Sequence, residues 1–308
     1  MTSATACGPT TPCGPATPCG FLVLDKPAGL SSHACVARVR RAYGLRRVGH
    51  GGTLDPAVTG VLPIALGPAT RLLPYLSGDK AYRGVIQLGI TTSSDDLEGE
   101  PLEQRPVPQL DSAELERALA AFRGAIQQRP PQISAVHVDG ERAYVRSRRG
   151  EALELAPRAV TIHQLNLLGW DAQSGELELE VHCSAGTYIR SLARDLGAAL
   201  GCGGSLARLR RTAALGLGLH QAVRLEQLDP SCLPPLLDPR LVLSDFACQQ
   251  LQPEQWGGWR CGRAFPPLQA HAPDTPVLVL GPDGNLAGMA RAGSDGLLQP
   301  KLVFDAAS

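Results

Sequence analysis

The run Val48-Gly49-His50-Gly51-Gly52-Thr53-Leu54-Asp55-Pro56 sets one carboxylate in a glycine-rich loop, with Arg46, Arg47 and His50 close before it. Glycine permits φ > 0 and a close approach of backbone to a ligand. The proline after Asp55 removes a donor and stiffens the turn. Such a loop can hold a single acid in a fixed pose beside a basic, anion-seeking surface, which points to chemistry on a polyanion. An Asp-Pro in a Gly-rich loop is also a common turn, so the reading needs further residues.

Arg190, in Gly186-Thr187-Tyr188-Ile189-Arg190, lies where a strand gives way to a helix, a frequent edge for a cleft. A carboxylate in a dry pocket needs a cation to stay charged, and Arg190 is the candidate; read alone, it is equally a surface helix arginine. Tyr82, in Lys80-Ala81-Tyr82-Arg83, offers a ring that stacks on a base and a hydroxyl that can hydrogen-bond or pass a proton. A strand tyrosine is often plain core. His50 could stack on or contact the phosphate of a flipped nucleotide. It has no second His, Cys or carboxylate at metal-ligand spacing, so no metal site is expected. Arg38, Arg40, Arg41, Arg46 and Arg47, with Arg208, Arg210 and Arg211, form a candidate phosphate-binding face. If they bind phosphates, affinity should fall steeply with salt.

Several long blocks in order carry a resemblance: GFLVLDKPAGLSS, RRVGHGGTLDPAVTG, VLPIALGPATR, KAYRGVIQLGITTSSDDLEGE, QRPPQISAVHVDGERAY and VHCSAGTYIRSLARDLGAALGCGGSLARLRRT. Over residues 20–230, and more weakly beyond, the chain resembles the bacterial tRNA pseudouridine synthase B (TruB) family. One GTLDP could arise by chance; blocks of this length in this order do not. The resemblance implies that Asp55 is the catalytic residue, Arg190 its ion-pair partner and Tyr82 the active-site tyrosine. It implies that Leu209 packs on the target base and that His50 engages RNA. Arg46, Arg47 and Tyr188 join these as substrate-binding residues. Lys26 and Pro27, with Gly51 and Gly52, are assigned to scaffolding of the loop. Ile133 stands where many relatives carry tyrosine, in the block that resembles the family's RNA-gripping lobe. Isoleucine cannot stack or hydrogen-bond as an aromatic does.

The elements that must position these residues follow from spacing. Phe21–Leu24 reads as a buried strand, and Ser31 or Ser32 as the cap of a helix that runs to about Tyr43 and stops at Gly44. Strands are expected at Val61–Leu66, Ala81–Leu88 and Val160–Leu168, with a short helix near Ala69–Leu73. The acidic run Asp95–Glu100 reads as a solvated loop. Asp111 and Glu114 form a capping box for a helix to about Phe122. In Glu176–Cys183, Leu177, Leu179, Val181 and Cys183 alternate with polar residues, the pattern of a half-buried strand. Tyr188–Leu200 is an amphipathic helix ended by Gly201. The expected architecture is α+β: a mixed, largely antiparallel sheet with flanking helices, the pseudouridine synthase fold. It spans residues 20–230 with an RNA-gripping insert at about 125–157. A linker and a small C-terminal PUA-like β-domain occupy 231–308, and 1–19 reads as a disordered tail.

The 308 residues carry 29 Lys+Arg and 29 Asp+Glu, a net charge of zero. Neutrality weighs mildly against a nucleic-acid binder, but the charge is segregated. Residues 20–80 hold eight Lys/Arg against three Asp/Glu, and residues 81–120 hold three against eight, so a basic face fits a neutral chain. No apolar run reaches the ~18–20 residues of a membrane helix, and the first residues lack the charged leader and apolar core of a secretory signal. Nine cysteines without a CxxC pair read as reduced cytosolic thiols. The expectation is a cytoplasmic, monomeric isomerase that needs no cofactor and takes the T-arm of tRNA. It would convert the uridine of the TΨC loop, conventional tRNA position 55, to pseudouridine. The competing readings are a tRNA-binding folding factor without catalysis and a guide-RNA-dependent relative.

Overall fold

A computed structural model describes residues 18–76, 78–134, 137–138, 141–142, 146, 149 and 155–304. In chain order its elements are β1 (Gly20–Lys26), α1 (Ser32–Ala42), β2 (Val48–His50), β3 (Thr59–Leu66), a 3-10 helix (Gly67–Tyr75), β4 (Lys80–Leu88), β5 (Ile90–Thr92), β6 (Pro101–Gln104), α2 (Ser112–Ala120) and β7 (Gly124–Gln128). There follow β8 (His137–Val138), β9 (Glu141–Arg142), β10 (Arg158–Asp171), β11 (Glu176–Cys183), α3 (Ile189–Ala199), β12 (Gly204–Ala214) and β13 (Leu217–Gly218). The C-terminal part holds α4 (Pro239–Val242), β14 (Ala247–Gln250), α5 (Pro253–Arg260), β15 (Pro276–Leu280), β16 (Leu286–Ala292) and β17 (Leu298–Val303). Among the described residues no helix is long and apolar enough to cross a membrane.

The main sheet has nine strands in the order β1-β3-β12-β4-β11-β10-β7, with β13 on β12 and β2 on β3. Among the described strand pairings of this sheet, only β3–β12 is parallel. That pairing places the strand after Asp55 beside the strand that carries Leu209. It depends on Gly60, whose φ is +102° and whose Cβ, if present, would lie 2.1 Å from the Arg211 carbonyl oxygen. A side chain there would force β3 and β12 apart.

Helices form where local signals predict them. The Ser31 hydroxyl accepts from the Ala34 N–H at 3.1 Å to open α1, whose Cys35, Val36 and Val39 pack on Leu24, Leu62 and Ile64. In α2 the box is reciprocal, with Glu114 N–H on Asp111 at 2.7 Å and Asp111 N–H on Glu114 at 2.9 Å. Helix α3 turns Ile189, Leu192, Ala193 and Leu196 onto Leu179 and Leu206 of the sheet. Leu192 and Leu196 are fully buried, a stabilisation of roughly 1.5–3 kcal/mol each. On β11, Leu177, Leu179, Val181 and Cys183 face this core as their alternation predicts.

A four-stranded sheet, β14-β15-β16-β17, forms the C-terminal part. It shares a core with the main sheet, in which Phe21, Ala65 and Leu72 meet Leu278, Met289 and Leu302. Arg71 adds a 2.8 Å hydrogen bond to the Val303 carbonyl.

Three expectations change. Residues 125–128, read as the start of an inserted lobe, are strand β7, paired with β10 from Gln128↔Arg158 to Gly124↔Ile162; short runs of this kind carry too little periodicity to declare a sheet edge. The acidic run is not simply solvated. Asp95 and Asp96 are largely covered and face arginines of α3. The segment after residue 230 does more than link, since Leu237 and Phe21 exchange backbone hydrogen bonds of 2.7 and 2.9 Å and Leu243 is fully buried. Residues 1–17 of the expected 1–19 tail, and most of the insert, 135–136, 139–140, 143–145, 147–148 and 150–154, lie outside the described residues.

Candidate active site

The loop between β2 and β3 is held from three directions. Lys26, at the end of β1, is fully buried, and its Nζ donates to the carbonyls of Pro27 (2.9 Å), Pro56 (3.0 Å) and Val58 (2.7 Å). Two of those acceptors follow Asp55 closely in the loop. Burial lowers the Lys26 pKa from its ordinary value, and the Asp55 carboxylate is among the charges that oppose the shift. Ser32, in the first turn of α1, takes the Leu54 N–H at 2.9 Å and donates to the Leu54 carbonyl at 3.1 Å. Arg211, buried on β12, donates to the carbonyls of Val61 (2.7 Å), Gly52 (3.1 Å) and Thr53 (3.5 Å). Carbonyls that a tight loop cannot pair internally are thus satisfied by two buried cations. Gly52 turns the chain at φ +114°.

This scaffold presents Asp55 to Arg190. The closest contact runs from Arg190 Nη2 to Asp55 Oδ2, 3.0 Å, with the arginine side chain 10% exposed and the aspartate 45%. Arg190 also donates to the Ser94 carbonyl (3.1 Å) and the Ile133 carbonyl (3.0 Å), and lies 3.6 Å from Asp96 Oδ2. The second residue of α3 is therefore an anchor shared by three segments, and the surface-arginine reading is excluded. Gln128, buried at the end of β7, fixes the entry to α3, since its side chain takes the Tyr188 N–H (2.8 Å) and donates to the Tyr188 carbonyl (3.1 Å).

Around the ion pair is a cleft of about 510 Å³, lined by Asp55, Arg190, Tyr82, Leu209, Tyr188 and Arg211, with Ile133, Lys80 and His33. A second cavity of about 470 Å³ shares Asp55, Val58, Arg190 and Leu209 with it. Tyr82 is buried, and burial is the main influence raising its pKa, opposed by the charge of Arg211. Burial likewise raises Tyr188 and lowers Lys80. The cleft combines a carboxylate, a countercharge, an aromatic wall and an apolar wall. It is suited to an uncharged planar ring next to a group that attacks it or stabilises charge on it.

His50 does not line this cleft. It sits edge-on to His33 with ring centroids 5.6 Å apart, and its buried Nδ1 has no hydrogen-bond partner among the described residues. Burial, then the neighbouring His33 and Arg211, lower its pKa. The histidine that reaches the cleft is His33, in the first turn of α1, which sequence reading passed over; nothing in its own segment marks it. Lys80 and Gln128 were missed as well.

The arginines divide. Arg46 and Arg47 are exposed and make no ion pair among the described residues. The run at 208–211 is not a row of free cations. Arg208 is bidentate to Glu176 (2.8 Å twice), Arg210 meets Asp25 at 2.7 Å, and Arg211 is buried in the loop scaffold. A strand sends 208 and 210 to one side and 211 to the other, which a linear reading of charge does not register.

Residues 40–189 match the N-terminal domain of the TruB family of pseudouridylate synthases. Residues 190–234 match the tRNA pseudouridylate synthase B C-terminal domain. The tRNA pseudouridine synthase B of Parasynechococcus marenigrum (strain WH8102) is 64% identical over 286 residues, which cover 93% of this chain and 97% of that protein. The chain belongs to the TruB family. It is accordingly an enzyme, an isomerase. Family relatives extend to the tRNA pseudouridine synthase B of Synechococcus elongatus (strain ATCC 33912 / PCC 7942 / FACHB-805), 51% identical over 93% of this chain and 98% of that protein. The fold is also that of a chain in the archaeal box H/ACA sRNP Nop10-Cbf5 complex, with TM-score 0.67 and 23% identity over 92% of this chain and 85% of that one. Family membership agrees with the mixed sheet and its flanking helices.

Proposed function

We propose that this enzyme converts the uridine of the tRNA TΨC loop, conventional position 55, to pseudouridine, with Asp55 as the group that engages the flipped nucleotide. The observation that carries the reading is the 3.0 Å contact between Asp55 and the buried Arg190 at the wall of a base-sized cleft. Flipping the base costs a few kcal/mol, less in a loop than in a duplex. Contacts with Tyr82 and Leu209 offset that cost through stacking and apolar burial. In the reaction the C1′–N1 bond breaks, the freed uracil turns within the cleft, and C1′ bonds to C5. The C5 hydrogen departs as a proton and N1 gains one, so no oxidant, reductant or group carrier is needed. Asp55 carries the charge or covalent bond while the glycosidic bond is open, and Arg190 holds that carboxylate in register. Tyr82, a phenol whose burial disfavours ionisation, serves as ring wall and hydrogen-bond donor. Lys26, Pro27, Gly51 and Gly52 shape the loop. Arg38, Arg40, Arg41, Arg46 and Arg47, all exposed, are the phosphate contacts that remain on this side, with His50 supporting His33 at the cleft. In this reading residues 20–230 are the catalytic unit, and 231–308 add an RNA-binding surface. The monomer takes the T-arm of tRNA.

The test is tritium release from [5-³H]uridine in an unmodified tRNA transcript, followed by mapping of the modified base. Release by wild type and none by Asp55→Asn is expected. Release at the wild-type rate from Asp55→Asn would remove Asp55 from its role. A folded wild type that binds the transcript without releasing tritium would refute the reading.

A further inference from the structure

Arg190 and Arg194 are four residues apart on α3 and therefore share one face. Each guanidinium bridges the same two segments. Towards the 94–96 turn, Arg190 reaches the Ser94 carbonyl and Asp96, and Arg194 Nη1 meets Asp95 Oδ2 at 2.9 Å. Towards the 129–133 segment, Arg190 donates to the Ile133 carbonyl at 3.0 Å and Arg194 to the Arg129 carbonyl at 2.9 Å. Ser191 adds a hydrogen bond to the same Arg129 carbonyl at 2.8 Å. Arg194 also pairs with Asp195 at 2.9 Å. The two arginines form a ladder whose inner rung touches Asp55 and whose outer rung does not.

The outer rung is built at a cost. Asp95 has φ +62°, a left-handed conformation that is unfavourable for a residue with a side chain. Its carboxylate is also largely covered, 15% exposed. The backbone on either side is locked to β12, by the Leu206 N–H on the Asp95 carbonyl (2.9 Å) and the Leu97 N–H on the Leu206 carbonyl (3.0 Å). This strained, buried aspartate turns its neighbour Asp96 onto Arg190. Asp96 is itself fixed by the Ser94 hydroxyl (2.5 Å) and the Glu98 N–H (3.2 Å).

We propose that Asp95 and Arg194 are a positioning pair that couples the 129–133 segment to the 94–96 turn and so sets the pose of Arg190 against Asp55. Neither residue touches the cleft's reacting atoms; both act through Arg190. The inference rests on the function proposed above. It adds two residues to the site's specification, and it assigns the base of the insert a part in catalysis as well as in gripping RNA.

The experiment uses the full chain with Asp95→Asn, Arg194→Ala, Arg194→Lys and the Asp95→Asn/Arg194→Ala double variant. Asparagine keeps the size of aspartate and tolerates positive φ, so the pair is broken without new backbone strain. The single variants should lower kcat by about tenfold or more, since a misplacement of ~1 Å can cost about a hundredfold, while KM for the tRNA transcript stays within about threefold. The double variant should be no worse than the more damaged single variant, as expected for one coupled element. Arg194→Lys keeps the charge on Asp95 but loses the guanidinium fork, and should recover part of the rate lost in Arg194→Ala. Amide exchange should quicken in both 93–100 and 129–134. A kcat near wild type, losses that multiply in the double variant, or a rate loss that only follows a lowered melting temperature would overturn the proposal. If wild type releases no tritium from any tRNA, the function proposed above fails separately. The coupling is then decided by exchange: quickening at 129–134 in Asp95→Asn upholds it, and unchanged exchange there overturns it.

Discussion

Breaking the Asp55–Arg190 pair from its two ends should have unequal consequences. Asp55→Asn removes a carboxylate that is 45% exposed and supported by the loop around it. Arg190 then still has Asp96 and the Ser94 and Ile133 carbonyls. A half-exposed pair contributes little because water screens it, so the expected loss of stability is at most about 1 kcal/mol. Arg190→Met is different. It strips the countercharge from Asp55 and from Asp96, whose side chain is only 19% exposed, and leaves two carbonyls without their donor. Removing one partner of a buried pair costs about 3–5 kcal/mol. Urea unfolding would read both differences, and tritium release from tRNA would read turnover. Both variants should lose turnover, but only Arg190→Met should lose several kcal/mol. Equal stability losses would mean that Asp55 is part of the architecture in the way that Arg190 is. Turnover surviving in Arg190→Met would refute the view that the guanidinium sets the pose of the carboxylate.

Three further outcomes are expected. Lys26→Met should be destabilising by about 2–5 kcal/mol, because it leaves the Pro27, Pro56 and Val58 carbonyls buried without a donor; an unfolding midpoint equal to wild type would show that the loop does not depend on it. His50 has a lowered pKa in the folded state, so between the ordinary value near 6.5 and that lowered value the unfolded chain binds more protons. Stability should therefore fall as pH drops below about 6.5, and His50→Gln should reduce that slope in urea titrations; an identical slope would remove His50 as its source. Arg46→Glu/Arg47→Glu should weaken tRNA binding at low salt and reduce the slope of log affinity against log salt by roughly 1.5, as for two lost phosphate contacts; unchanged binding would move the phosphate face elsewhere.

What the amino-acid sequence determined by itself is local or carried by long ordered motifs. The Ser31 cap, the Asp111–Glu114 box and the alternation of Leu177, Leu179 and Val181 were legible because each concerns residues within one turn or one pleat. The resemblance carried by GTLDP and its companion blocks was legible for a different reason: order and length make chance agreement improbable. Tertiary structure alone decided which charges work and which are spent. Lys26 reads as a motif lysine, and only the fold brings the Pro56 and Val58 carbonyls to its ammonium. Arg208, Arg210 and Arg211 read as one basic run, yet strand alternation and neighbours distant in sequence give them three separate partners. Asp95 and Asp96 read as a solvated loop because linear composition carries no information about α3 packing over them. His33 went unnoticed because nothing in its own segment shows that the helix start borders the cleft. A charge's energy depends on what lies within a few ångströms of it and on how much water remains there, and both are set by contacts between segments far apart in the chain.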